Sequence, residues 1–271
     1  MATAKLDAPI RIVTATGPGV RIHVFDLLRE LIERDIKLRY RGSLLGILWT
    51  LLNPLAELLV LIFVFKLVLR VDIPNYPPYL FTGLIVYSWF QTSVNFATLS
   101  VVGSRELVRR PGVPAAILPI VTVASNLVHF VLSLPILLGL LVLSHIPFTS
   151  ALVALPFLVA LEFVFILGCA YPVATVHVWF RDTQHVLRIA LQLLFYLTPV
   201  FYEAGSAPER VQWFYRINPM AQMIDAYRAV LLRGELPNLF GILYLIVVSG
   251  GLLLLGLTWF RKASYRFPDE L

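Results

Sequence analysis

The sequence predicts an all-α integral membrane fold: six transmembrane helices, an N-terminal amphipathic interface helix, and short re-entrant helices on the outer side between spans five and six. Three observations predict it. Hydrophobic residues make up 59% of the chain and charged residues 14%, against roughly 45–50% and about 25% in soluble domains. The apolar residues gather into runs of about twenty or more with almost no charge, long enough for a hydrocarbon core about 30 Å thick. The lysines and arginines crowd into alternate loops, as membrane insertion requires.

Residues 22 to 41 place Phe25, Leu28, Ile32, Ile36 and Tyr40 at spacings of three or four, with Arg29, Glu30, Glu33, Arg34, Lys37 and Arg41 mostly elsewhere. That pattern predicts an amphipathic helix lying on a membrane surface or against a partner. The stretch before the first apolar run lacks the short apolar region and cleavage site of a signal peptide, so the N-terminus is expected to be retained. Spans are predicted at about 44 to 69, 78 to 102, 115 to 144, 149 to 176, 186 to 202 and 238 to 260. Breakers separate them: Pro74, Pro77 and Pro78, then Pro111 and Pro114, then Pro147.

The segment 202 to 237 is semi-apolar and is punctuated by Pro208 and by Asn218-Pro219. Val211 to Ile217 and Met220 to Leu232 are too short or too polar to cross a bilayer. They are expected as re-entrant helices whose backbone ends are covered by protein or water, with Asn218 capping the second. The expected divisions are a cytoplasmic segment 1 to 43, a membrane domain 44 to 260 with an outer gate at about 202 to 237, and a cytoplasmic tail 261 to 271.

With the N-terminus inside, sixteen of the 22 Lys and Arg residues fall on the inner side and five outside, leaving Lys66 within a span. Both termini are therefore expected in the cytoplasm. The same asymmetry accounts for the net charge of +6, and no basic patch with interleaved aromatics suggests nucleic acid. Cys169 is the single cysteine, which excludes an intrachain disulfide. His23, His129, His145, His177 and His185 are scattered without metal-ligand spacing, and no pair of acids faces the cytoplasm, so neither a metal site nor catalytic residues are predicted.

Trp49, Asn53 and Glu57 recur at i, i+4 and i+8, one face of the first span. A carboxylate at mid-span costs about 2.5–3.5 kcal/mol on an insertion scale, so Glu57 is expected to face protein or water. A polar pore face and a buried structural pair both fit. Glu162 in span four is read as a hydrogen-bonding contact between helices. Lys66 and Arg70 are expected to snorkel to head groups. Gln91, Asn95, Ser125 and Asn126 are read as polar glue between helices.

The block ERDIKLRYRGSLLGILWTLLNP, Glu33 to Pro54, resembles the type 2 ABC exporter permeases that move O-antigen and related polysaccharides. Arg34, Asp35, Lys37, Arg39, Tyr40, Ser43, Leu45, Gly46, Trp49 and Pro54 carry the match. Further matches run in order: FKLVLRVDIPNYPPYLFTGL from Phe65, Phe180-Arg181-Asp182, Thr198-Pro199 with Tyr202, Asn218-Pro219, and the tail YRFPDEL from Tyr265. They extend over residues 25 to 271. Two positions depart from the family pattern: Val113 stands where an aromatic is usual, and Pro268 where Ala is common.

The resemblance implies a permease subunit in the bacterial inner membrane, paired with a second copy of itself and with two copies of a separate ABC ATPase. A phosphate-cradling G-x-x-x-x-G-K-[ST] loop is missing and the dipeptide Gly-Lys does not occur. The chain is thus expected to bind no cofactor of its own, with ATP and Mg on the partner ATPase. Coupling candidates on the cytoplasmic side are Glu33, Arg34, Asp35, Lys37 and Arg39 of the amphipathic helix, Arg109 and Arg110 of the second loop, and the Arg181-Asp182 turn.

The expected cargo is a polyprenyl-linked polysaccharide. Sugar C–H faces stack on aromatic rings, so Phe195, Tyr196, Phe201 and Tyr202 join Trp49, Asn53 and Glu57 as channel-lining candidates. Pro199, Asn218 and Pro219 are candidates for the outer gate. Tyr76, Tyr79, Trp213 and Tyr215 are read as interfacial belt aromatics in contact with membrane lipids. Alternatives are a permease of the same architecture exporting a teichoic acid, capsule, drug or lipid, and a membrane-bound glycosyl or phosphosugar transferase.

Overall fold

The computed structural model describes residues 24–40, 46–109, 112–206 and 208–270. Arg110, Ser43 and Leu45 lie outside those residues, as does the side chain of Arg39. Every regular element among the described residues is helical. Four stretches are long and apolar enough to cross a membrane: Leu51–Val68, Ile117–Leu143, Ser150–Trp179 and Leu239–Ser264. The chain is a multi-pass helical membrane protein.

The amphipathic segment forms α1, Val24–Tyr40. Its apolar residues Leu27, Leu28, Leu31 and Ile32 pack on the core, against α5. Arg29 and Lys37 reach Glu33 from either side at 3.3 and 3.5 Å on the exposed face, pairs worth about 0.3–0.5 kcal/mol each. Helix α2, Trp49–Leu61, continues through wider π-type turns, Ile62–Val68. It is mostly outward-facing, with Leu59, Val60, Phe63, Leu67 and Val68 exposed.

Helix α3, Tyr76–Ser100, is the hub. Asn75 ahead of it takes the left-handed conformation with φ 50°, and prolines occupy its first turn, where an N–H would have no partner. It is as long as the four apolar spans but more polar, and most of its residues are buried between α5, α6, α7 and α9. Short α4, Arg105–Val108, leads to α5, Ile117–Leu143, and then α6, Leu155–Trp179. The fifth expected span, 186 to 202, is instead the 15-residue helix α7, Thr183–Leu197. Pro199 disfavours helical geometry at Thr198, so the helix stops there.

Two short helices follow, α8, Glu209–Ile217, and α9, Pro219–Arg228. No residue of α8 is buried, whereas α9 is inserted against α3, α6 and α10. Helix α10, Leu239–Ser264, lies along α6. A Cβ on Gly168 would meet Leu252 Cβ at 2.8 Å, and one on Gly256 would meet the Gly168 carbonyl at 2.9 Å. Small residues there set the close approach typical of membrane helices. The tail forms α11, Phe267–Glu270, whose fully buried Phe267 packs on Trp179 and Phe260.

Candidate functional site

Three polar regions interrupt this apolar body. At the α1 end, Arg34 and Asp35 line a recess of about 720 Å³ together with Arg105 and Glu106. Glu33 and Lys37 point away from it, on the exposed face of α1. Arg109 is exposed just after α4. Helix α11 packs on both α4 and α6, which puts the exposed Arg181-Asp182 turn at this same end. Asp182 precedes α7 without capping it through its side chain. The coupling candidates that the structure describes thus share one end of the protomer.

The second region is a cleft of about 410 Å³ between α2, α3 and α5. Trp49 and Asn53 form its α2 wall; Ser88, Trp89 and Thr92 come from α3, and Asn126, His129 and Ser133 from α5. Asn126 donates to the Thr122 carbonyl at 3.0 Å, and Ser133 to that of His129 at 3.0 Å. Lipid offers no partner to such groups, so a polar cleft amid apolar helices suits water or a polar ligand. Phe96 lines both the cleft and the recess at the α1 end, so the two adjoin. Glu57 shares the helix face but not the cleft; it is exposed one turn beyond Asn53. Asn126, read from sequence as glue, belongs to the cleft.

The third region is where α7 ends. From Pro199 to Tyr202 the chain is not helical, and four successive carbonyls need donors. Arg228 supplies two: its guanidinium donates to the Pro199 carbonyl at 2.8 Å and to the Val200 carbonyl at 2.6 Å. The phenols of Tyr76 and Tyr79 donate to the next two, Phe201 at 3.0 Å and Tyr202 at 2.9 Å. Arg228 also donates to the hydroxyl of Tyr79 at 2.8 Å and to its carbonyl at 3.2 and 3.4 Å. Irregular backbone inside a membrane protein needs this kind of cover. Burial pushes the guanidinium down to about 10, and it stays charged at neutral pH.

Asn218 caps α9 as expected, its Oδ1 accepting from the N–H groups of Met220 and Ala221 at 3.0 and 3.4 Å. Thr198, which precedes the gate candidate Pro199, is within its reach. Of the aromatic candidates, Phe195 is buried, its ring packed on Tyr87 at 5.2 Å and Phe201 at 5.9 Å. Its surface is used inside the protomer, which differs from the channel-facing position expected of it. Tyr196 is exposed. Phe201 and Tyr202 continue a ring series from Phe65 of the α2 extension, at 4.7 Å from Phe201, to Tyr215 of α8, at 6.0 Å from Tyr202. Trp49 and these aromatics therefore sit at opposite ends of the protomer.

Sequence reasoning missed the two residues that organise the third region. The charge count places Arg228 among the five arginines of the outer side, yet only 4% of it is exposed. Tyr79 was assigned to an interfacial belt, yet it stacks under that guanidinium. The available signal was an arginine set between Ala226-Tyr227 and Ala229-Val230-Leu231-Leu232, where a cation among apolar neighbours needs internal partners.

Residues 26–232 match the family model described as ABC-2 type transporter. The chain is 36% identical over 248 residues to the O-antigen export system permease protein RfbA of Myxococcus xanthus, covering 90% of this chain and 95% of that protein. It is 32% identical over 250 residues to the O-antigen export system permease protein RfbA of Klebsiella pneumoniae, at 92% and 96% coverage. The polysialic acid transport protein KpsM of Escherichia coli is 25% identical over 240 residues, at 86% and 92%.

Proposed function

The chain belongs to the ABC-2 type transporter family, and from that premise we propose that it is the permease subunit of an ATP-driven exporter moving a lipid-linked polysaccharide outward across the bacterial inner membrane. The observation that carries this is near-full-length similarity to permeases named for O-antigen export. Similarity to a polysialic acid transport protein extends the same substrate class. A drug or lipid cargo draws no comparable support.

In this reading α2 with its extension, α3, α5, α6, α7 and α10 make six crossings, and α8 with α9 forms a re-entrant outer cap. The α1 end faces the cytoplasm, consistent with the charge asymmetry of the loops. A second copy completes the channel, since the cleft lies open beside α2 and α2 itself faces outward. Two ABC ATPase subunits holding ATP and Mg dock at the α1 end, against Arg34, Asp35, Arg109 and the Arg181-Asp182 turn. The closing ATPases push α1 and α4 as rigid levers. The cleft at Trp49 and Asn53 takes the sugar chain, and the ring series around Phe201 and Tyr202 releases it. The segment held by Pro199, Asn218 and Arg228 seals the outer end between strokes.

The test is deletion and reconstitution. Deleting the gene is expected to remove surface polysaccharide and leave drug tolerance unchanged. In proteoliposomes the chain should export only with its ATPase and ATP. Export by the chain alone, or a deletion strain with intact surface glycan, would refute the proposal.

A further inference from the structure

The tail after α10 is short and lies mostly at the surface. Among residues 265 to 270 only Phe267 is buried, while Tyr265, Arg266, Pro268, Asp269 and Glu270 are exposed. One side chain therefore fixes α11 to the body of the protein. The Phe267 ring meets Trp179 at 5.8 Å and Phe260 at 5.2 Å, edge to face in both cases. Trp179 is the last residue of α6 and Phe260 lies near the end of α10, the two helices whose close approach Gly168 and Gly256 permit.

Helix α11 also packs on α4. The four residues Arg105–Val108 form one helical turn, too short to keep its shape without tertiary support. That turn carries Arg105 and Glu106 and leads to Arg109, so a push on it needs something behind it. Beyond its own neighbouring turn, the chief packing partner of α4 among the described residues is α11.

The far end of the same loop is tied to the same rings. Tyr171 donates its hydroxyl to the carbonyl of Ala116, the residue before α5, at 3.0 Å, and its ring packs on Phe260 at 5.2 Å. Phe260 thus touches both Phe267 and Tyr171, and one aromatic chain holds the loop from α4 to α5 at both ends. That chain terminates in Trp179, two residues before the Arg181-Asp182 turn. Close-packed interiors transmit strain, and edge-to-face rings favour one relative orientation. A displacement of α4 is therefore passed through Phe267 to α6 and α10 together.

We propose that Phe267 is a positioning residue for energy coupling. It makes the tail a strut that backs α4 and joins it to the Arg181-Asp182 turn, so that both move with α6 and α10 as one body. The inference rests on the polysaccharide-export reading and adds to it the element that carries the ATPase stroke into the membrane helices. Without the strut the ATPases still close, but α4 yields instead of moving the spans.

The experiment uses the full chain, expressed with its ATPase in a deletion strain and purified as the complex into lipid nanodiscs. Surface glycan is read in the cells; ATP hydrolysis and melting temperature are read on the complex. Phe267→Ala is expected to keep well over half of the wild-type hydrolysis while surface glycan falls at least tenfold. Phe267→Leu keeps the apolar filling but not the ring contacts, and is expected to melt like wild type and to lower glycan several-fold with hydrolysis intact. Where the Ala variant does not assemble, the Leu variant decides by the same two readings. Asp269→Ala, on the exposed side of α11, is expected to leave both at wild-type level.

Hydrolysis that falls in step with glycan would reduce Phe267 to a packing residue and overturn the strut. So would full surface glycan in the deciding variant, or a loss with Asp269→Ala as large as with Phe267→Ala. The export reading fails on a different result, a deletion strain that keeps its surface glycan. A deletion strain that loses the glycan and recovers it fully with Phe267→Ala sinks the strut alone.

Discussion

The side-chain amide of Asn218 donates to the Thr198 hydroxyl at 3.0 Å while its oxygen caps α9. One residue therefore ties the end of α7 to the start of the inserted helix, across twenty positions of chain. Thr198 passes the bond on, donating to the Leu194 carbonyl at 2.7 Å. Two substitutions separate the two jobs. Asn218→Asp keeps the cap acceptor and loses the donor; Asn218→Ala loses both. Loss of a cap costs about 1 kcal/mol, and the buried Thr198 oxygen loses its donor as well. Thermal melts in detergent are expected to rank wild type above Asp above Ala. Equal melts for Asp and Ala would remove the tie to Thr198.

Arg228 is the residue that holds the carbonyls of Pro199 and Val200, with its guanidinium 3.5 Å over the ring of Tyr79. Lysine keeps the charge but not the planar fork, so it cannot reach Pro199, Val200 and Tyr79 together. Hydrogen bonds from a charged donor are worth about 1.5–3 kcal/mol each, and stranded carbonyls add their own desolvation cost. Arg228→Lys and Arg228→Met are both expected to lower the melting temperature sharply and to reduce export at least tenfold. A Lys variant that exports like wild type would show that charge alone suffices there.

Gly83 stands behind the same clamp. A Cβ at this position would lie 2.9 Å from an Arg228 nitrogen and 3.0 Å from the Val200 carbonyl oxygen. Those atoms are fixed by the network they belong to, so neither side gives way easily. Overpacking of this kind costs about 1–3 kcal/mol. Gly83→Ala is expected to destabilise by that order and to mimic a weakened Arg228 in export. A double variant with Arg228→Met should then lose little more than Arg228→Met alone, a non-additivity that a double-mutant cycle measures.

Much of the α8 and α9 pair was legible in the sequence, and the reason is local chemistry. Asn218-Pro219 specifies a capped helix start by itself, and the short stretches Val211 to Ile217 and Met220 to Leu232 announced α8 and α9 by being too brief to span. The four long apolar spans were equally plain, since length and composition decide them. What stayed hidden depends on partners far away in the chain. Tyr79 and Arg228 are 149 residues apart, and no periodicity reports that they meet. Asn126 looks like interhelical glue until α2 brings Trp49 and Asn53 to the same cleft. Phe195 is an aromatic near a helix end, which sequence cannot sort into packing or channel wall.

Glu162 of α6 and Tyr227 of α9 face each other in the core, each fully buried. Among the described residues no cation stands beside the carboxyl, so a polar contact between two helices, rather than an ion pair, is what the position asks for. Glu162→Gln keeps the size and shape of the side chain and is expected to change stability by less than about 1 kcal/mol. Glu162→Ala empties space in the core, and is expected to cost about 2 kcal/mol or more. Denaturation midpoints of the two variants check this. A Gln variant as unstable as Ala would show that the carboxyl itself is required.

The cleft allows a cleaner separation of transport from folding than the region of α8 and α9 does. Asn53 is exposed on the protomer, so making it apolar removes no internal hydrogen bond of the fold. Glu57 lies on the same helix face but outside the cleft. If the cleft handles the sugar chain, Asn53→Leu is expected to lower export several-fold with an unchanged melting temperature, whereas Glu57→Gln leaves both near wild type. If α2 instead acts only as a packing surface for the second copy, the two substitutions should act through dimer stability. Crosslinking yield would then fall together with export in both. Measuring export, melting temperature and crosslinking on the same two variants distinguishes the cases, because only a ligand-facing Asn53 lowers export while dimerisation and stability stay fixed.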